Sequence, residues 1–227
     1  MTSRAPDPAA RGDHAEAFRD RFLETLLAPD TRAAWHVVEQ ARAAGMTPAQ
    51  IYVSVLAPAM EAIGVLWERA QIGVAQEHLA TQITQTLLAR LAPELGDGRV
   101  AAGPMRLALV GGTPGELHAL GARMVADFLE SGGWDVLMLG PDTPADEIVA
   151  TAAAHRPEVV ALSTALPSNL LPAARVFGAL RRLDPPPLLV AGGRAYDGRP
   201  QRALTAGADL FATDPVALLD DLRARLG

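Results

Sequence analysis

One of the chain's five histidines, His118, follows a carboxylate by two positions and precedes a glycine by three in the run GELHALG, residues 115–121. An imidazole beside Glu116 can serve as a metal ligand whose tautomer the acid fixes. The same residue can equally be a surface histidine near a helix start, and its immediate neighbours leave both readings open. A second group lies upstream, where Trp67 is followed after nine intervening residues by Glu77 and His78. An indole can cover an apolar ligand face, and a carboxylate can accept hydroxyl hydrogen bonds. Alternatively, Trp67 is a core residue and Glu77–His78 a solvated helix start. Ser163 and the pair Gly192–Gly193 complete the set: a short hydroxyl donor, and two positions where backbone can approach a ligand closely.

These residues need elements to position them, and the two halves of the chain differ in periodicity. Residues 1–14 are rich in Pro, Ala and charge and are expected to form a disordered tail. From 15 to 92 the pattern is helical. Phe18, Phe22 and Leu26 share one face; Asp30 or Thr31 caps a second helix that Gly45 stops; Thr47 caps a third with Pro48 at its first position. A fourth helix runs through AQEHLATQITQTLLARLA. Four helices with short connections predict a four-helix bundle. Residues 93–104 read as a linker. In 105–227, apolar runs at 106–110, 135–139, 159–163, 187–191 and 209–213 alternate with helices at 117–131, 144–154, 170–182 and 215–225. That alternation predicts an α/β domain with an open parallel sheet of Rossmann or flavodoxin type. Ligands of such sheets sit outside the carboxyl ends of the strands. The loops there are GGTPGELHALG, GPDTP, STALPSN and GGRAYDG. Neither a GxGxxG run nor a GK[ST] run supports dinucleotide or P-loop binding.

Composition narrows the classes. With 49% apolar and 20% charged residues, the chain is ordinary for a globular protein. It has no cysteine, which excludes disulfides, iron–sulfur clusters and thiolate zinc sites. All 20 basic residues are arginine, yet the net charge is −6, against a dominant nucleic-acid footprint. No apolar run of transmembrane length and no signal-peptide core is evident, so the cytoplasm is the expected compartment and no membrane partner is expected.

The pattern Glu116-x-His118-x-x-Gly121, 41 residues, Ser163-x-Ala165, 26 residues, Gly192–Gly193 resembles the signature of cobalamin-binding domains that displace the cofactor's own dimethylbenzimidazole. Two residue types depart from the family: Glu116 stands where Asp is commoner and Ala165 where Leu is expected. The resemblance implies His118 as lower axial cobalt ligand, Glu116 orienting it, Gly121 packing near the corrin, Ser163 and its neighbours bonding the displaced nucleotide tail, and Gly192–Gly193 lining the tail's slot. Corrin supplies the other four in-plane ligands. A helical module before such a domain resembles the caps of methionine synthases, corrinoid methyl carriers and B12-dependent photoreceptors. Trp67-x9-Glu77–His78 resembles the upper-face motif of the adenosylcobalamin light sensors. Where some of those sensors have a cobalt-capturing histidine directly after the tryptophan, this chain has Glu68, and His78 is the other upper-face candidate. By this resemblance the chain is a non-enzymatic, adenosylcobalamin-binding light sensor holding the cofactor between cap and α/β domain, with methylcobalamin and hydroxocobalamin as the other forms. It would signal by losing its upper ligand and changing oligomer or partner contacts. A transcriptional regulator or another signalling protein is the expected partner, without direct DNA binding, since the family's DNA-binding domain has no counterpart here. The alternative is a corrinoid methyl carrier of a methyltransferase system.

Overall fold

A computed structural model describes residues 8–96 and 105–226, with side chains from His14 onward. The chain divides into two compact units between Leu95 and Gly96. Residues 1–7 of the expected tail and 97–104 of the expected linker lie outside the described residues.

In the first unit, α1 spans Pro8–Leu27, α2 Thr31–Ala43, α3 Pro48–Ile51, α4 Ala57–Glu68 and α5 Val74–Leu91. Helix α1 starts at Pro8, so residues 8–14, expected in a disordered tail, belong to the first helix; Pro is well suited to a first helical turn because that N–H needs no partner. Phe22 and Leu26 are fully buried on the predicted face. The Asp30 carboxylate accepts from the amides of Arg32 and Ala33, and Gly45 ends the next turn at φ +90°. Thr47 and Gln50 form a reciprocal capping box at α3.

Helices α3 and α4 are joined without a break by a π-helical stretch, Tyr52–Leu56, in which the Ala57 amide bonds to the Tyr52 carbonyl. Pro58 follows and has no N–H to continue the i→i−4 ladder, which accounts for a register change here. The composite helix Pro48–Glu68 is 21 residues long with a mean hydropathy of 1.5, long and apolar enough to cross a membrane by length and composition. This corrects the expectation that no segment reaches that length. Its residues Ile51, Tyr52, Val55, Leu56, Ala59 and Ile63 are buried within the bundle. Each large aliphatic side chain so buried contributes about 1.5–3 kcal/mol.

The second unit contains β1 Arg106–Gly112, α6 Leu120–Ser131, β2 Trp134–Met138, α7 Ala145–His155, β3 Val159–Ser163, α8 Leu170–Leu180, β4 Leu188–Gly192, α9 Pro200–Thr205, β5 Leu210–Ala212 and α10 Pro215–Leu226. All five predicted strands form, within one or two residues, in one parallel sheet of order β2-β1-β3-β4-β5. Central strand β3 is buried on both faces from Val159 to Leu162, as a parallel strand covered by helices requires. The short α9 is an element that the sequence pattern did not predict. The direction in which successive strands are added reverses between β1 and β3, the place where ligands of open α/β sheets bind.

Candidate functional site

Register alone gathers the sequence motif. Gly112 pairs with Ser163 and Ser163 with Gly192, so the ends of β1, β3 and β4 lie side by side at the sheet's carboxyl edge. A Cβ on Gly121 would sit 3.4 Å from the Ser163 hydroxyl oxygen; the glycine thus lets the start of α6 lie close to β3. Gly193 has φ +101°, and a Cβ there would fall 2.3 Å from the Thr164 carbonyl oxygen. Its missing side chain is required by the protein's own backbone. Gly192 differs, since its Cβ would make ordinary 3.6 Å contact with the Ala212 carbonyl oxygen.

His118 lies in the loop before α6, not within a helix beginning at 117 as its sequence suggests. The backbone of this loop is committed elsewhere. Gly115 turns at φ +82°, its amide donates to the Asp142 carboxylate at 3.0 Å, and the Asp142 amide donates to the Glu116 carbonyl at 2.9 Å.

Glu116 is fully buried, and its carboxylate is the hub of the site. One oxygen accepts from the His118 amide at 3.1 Å and contacts His118 Nδ1 at 2.5 Å. The other accepts from the amides of Ala165 at 2.7 Å and Leu166 at 3.1 Å, and from Asn169 Nδ2 at 3.2 Å. Burial by itself would raise this acid's pKa; the hydrogen bonds from the His118 ring and from the amides of His118, Ala165 and Leu166 outweigh it and bring the pKa down to about 2. An ionised carboxylate only accepts, so Nδ1 carries the ring hydrogen and Nε2 is the nitrogen whose lone pair can bind a metal. The imidazole itself is 41% exposed. Among the described residues no three His, Asp or Glu side chains cluster to hold a bare ion. The donor set therefore suits a metal that brings most of its ligands with it, as the cobalt of a corrinoid does.

Asn169 and the amides of Ala165 and Leu166 were not singled out by the sequence, although the loop STALPSN was. Asn169 also donates to the Gly115 carbonyl at 3.1 Å, tying the loop after β3 to the loop after β1. Ala165 contributes through its backbone N–H, which makes its departure from leucine compatible with the same contact. Thr113, Thr164 and Tyr196 form a further fully buried polar group beneath these loops. Burial raises the Tyr196 phenol's pKa, partly offset by its contact with Thr164, so the phenol stays neutral.

The helical unit carries the other candidates by itself. Trp67 is the next-to-last residue of α4, Glu77 lies in the first turn of α5 with His78 directly after it, and a turn through Ala70 at φ +54° joins the helices. Trp67 is 40% exposed, and Val74 and Leu79 are exposed nearby in the chain. This overturns the reading of Trp67 as a bundle-core residue. Glu77 contacts His78 Nδ1 at 2.6 Å and accepts from the Thr81 hydroxyl at 2.9 Å. Glu68 is exposed at the end of α4.

Two family models, each described as a B12 binding domain, match residues 18–92 and 106–219. Monomethylamine corrinoid protein 2 of Methanosarcina acetivorans is 27% identical over 63% of this chain and 66% of its own length. The HTH-type transcriptional repressor CarH of Myxococcus xanthus is 32% identical over 66% of this chain and 48% of its own length. The chain thus spans about half to two thirds of these curated relatives. The solved structure of the Methanosarcina barkeri monomethylamine corrinoid protein superposes with a TM-score of 0.78 at 21% identity, covering 93% of this chain and 99% of that one, a likeness of fold. With an α/β unit whose motif converges on one sheet edge and a helical unit before it, both matched by the same family description, the chain belongs to the B12-binding domain family.

Proposed function

We propose that this chain is a cobalamin-dependent light sensor and regulatory protein, with adenosylcobalamin as its cofactor. In this reading His118 Nε2 is the lower cobalt ligand, and Glu116 holds the ring's tautomer and direction through Nδ1. Gly121 leaves room beside Ser163, which bonds the displaced nucleotide tail together with the Ala165 segment, and Gly192–Gly193 border the tail. Trp67 covers the upper-ligand side, with Glu77 accepting from ribose hydroxyls and His78 beside it. When bound, adenosylcobalamin supplies a cobalt–carbon bond that light can break. A signal then requires that the protein's conformations differ in affinity for the intact and cleaved forms. The expected outputs are altered self-association or altered contact with a transcriptional regulator in the cytoplasm, with no catalytic residue in this chain.

The observation that carries the sensing role is the exposure of Trp67. An indole left 40% exposed suits covering a large upper ligand better than filling the bundle core. The relatedness to the repressor CarH agrees with it. The alternative, a corrinoid methyl carrier, is favoured by the similarity to monomethylamine corrinoid protein 2. Such a carrier must open the same upper face to partner enzymes, where a tryptophan lid is a hindrance.

The test loads the full chain with adenosylcobalamin in the dark and compares absorption spectrum and size-exclusion elution before and after green light. Changes in both are expected; an unchanged spectrum and elution refute the sensor. Turnover-rate methyl transfer from a methylated corrinoid donor would establish the alternative in its place.

A further inference from the structure

Three buried hydroxyl groups run crosswise under the loops that hold the cobalamin motif. Thr113 follows β1 and lies three positions before Glu116; Thr164 sits between Ser163 and Ala165; Tyr196 lies three positions after Gly193. All three residues are fully buried. The Thr113 hydroxyl reaches the Thr164 hydroxyl at 3.3 Å and the Ser163 carbonyl at 3.5 Å, and the Thr164 hydroxyl meets the Tyr196 hydroxyl at 3.4 Å. The row therefore crosses all three motif loops.

Backbone contacts fix each hydroxyl to its loop. The Thr113 amide donates to the Ser163 carbonyl at 3.0 Å, the Thr164 amide to the Gly192 carbonyl at 2.9 Å, and the Ala195 amide to the Thr164 carbonyl at 3.1 Å. The Tyr196 ring is clamped edge-on against Phe211 at 5.8 Å between centroids. A shift of the Gly192–Gly193 loop must therefore move either the Tyr196 hydroxyl or the residues bonded to it.

We propose that Tyr196 is a positioning residue: through the hydroxyls of Thr164 and Thr113 it couples the loop of Gly192–Gly193 to the loop of Glu116 and His118, so that a corrinoid's nucleotide tail lodged beside the glycines strengthens cobalt ligation by His118. This rests on the cobalamin reading above and adds the regulation of that site. Tail and lower ligand act on one element, and each favours the other's binding by the same factor. The chain should accordingly prefer a complete cobalamin to cobinamide, which has the corrin but lacks the nucleotide, by more than the tail's own contacts supply.

The test titrates the full chain with hydroxocobalamin and with cobinamide by absorption. It also records the electron paramagnetic resonance of each cobalt(II) form for nitrogen splitting from His118, assigned with 15N-histidine. Y196F removes the terminal hydroxyl at nearly constant shape. It should weaken hydroxocobalamin binding about three- to tenfold, the usual range for one buried hydrogen bond, and lower the histidine-ligated fraction. Cobinamide affinity should be unchanged. T164V should reproduce the effect, and the double variant should lose no more than either single one, since both break the same row. Equal losses for the two corrinoids, or an unaltered ratio and an unaltered spectrum, overturn the coupling. A wild-type chain that binds neither corrinoid, or binds without histidine splitting, refutes the cobalamin reading itself; wild-type ligation together with an inert Y196F refutes the coupling alone.

Discussion

In the α/β unit the Glu116 carboxylate is fully buried and accepts from two loops: from His118 in its own, and from Ala165, Leu166 and Asn169 in the loop after β3. In the helical unit Glu77 accepts from Thr81 and contacts His78 on its own helix, and Trp67 stands 40% exposed. The difference follows from the scaffolds. A parallel sheet brings loops distant in sequence to one edge, where a carboxylate can be wrapped and desolvated. A helix pair offers side chains along its surface, each supported by neighbours three or four residues away. His118 is thus held by a wrapped, buried partner, while Trp67, Glu77 and His78 are presented along a helical surface. Substitutions should weigh on fold and ligand in opposite proportions in the two units.

The largest effect on folding is expected at Gly193. G193A places a methyl 2.3 Å from the Thr164 carbonyl oxygen at a φ of +101°, and should cost about 3 kcal/mol or more in denaturant unfolding. A loss below 1 kcal/mol would mean that the two loops part easily and that the α/β site is not rigid.

E116Q comes next, with effects on both fold and ligand. Because the folded-state pKa is lowered from 4.5 to about 2, the ionised acid stabilises the fold above the unfolded-state pKa, and that contribution fades as pH falls from about 4.5 to about 2. Its size is roughly 3 kcal/mol at neutral pH. E116Q should flatten the acid limb of the stability–pH curve in that window and weaken cobalamin binding about 10- to 100-fold. An unchanged acid limb would show that another group governs acid unfolding.

The smallest effect on folding belongs to the helical unit. W67A should cost well under the 3–5 kcal/mol expected of F22A in the bundle core, roughly 1 kcal/mol. It should nevertheless abolish the preference for adenosylcobalamin over methylcobalamin in a competition titration. A large loss of stability with the preference intact would return Trp67 to a purely structural role and sharpen the case for a methyl carrier.

Much of the fold was legible in the sequence because its signals are local. Short apolar runs separated by helices specify buried parallel strands, and Thr47–Pro48 and Gly45 punctuate helices through bonds made within a few residues. The helix start at Pro8 and the π-helical stretch before Pro58 were not legible. The first continues a helix through a polar, Pro-rich composition that carries no apolar period, and the second depends on which carbonyl each amide finds once a proline interrupts the ladder. In the site, the spacing among His118, Ser163 and Gly192–Gly193 marked the positions, since the first gap spans two helix–strand units and the second one, and each returns the chain to the same edge.

The sequence by itself determined which residue types stand at the sheet's carboxyl edge and which family's spacing they follow. Only the tertiary structure decided how they are held: that Glu116 is ionised in a fully enclosed pocket of donors, that Asn169 and two backbone amides complete it, that Gly193 answers to Thr164, and that Trp67 lies outside the core. Each of these rests on contacts between residues tens of positions apart, whose distances and burial exist only once the chain has closed upon itself.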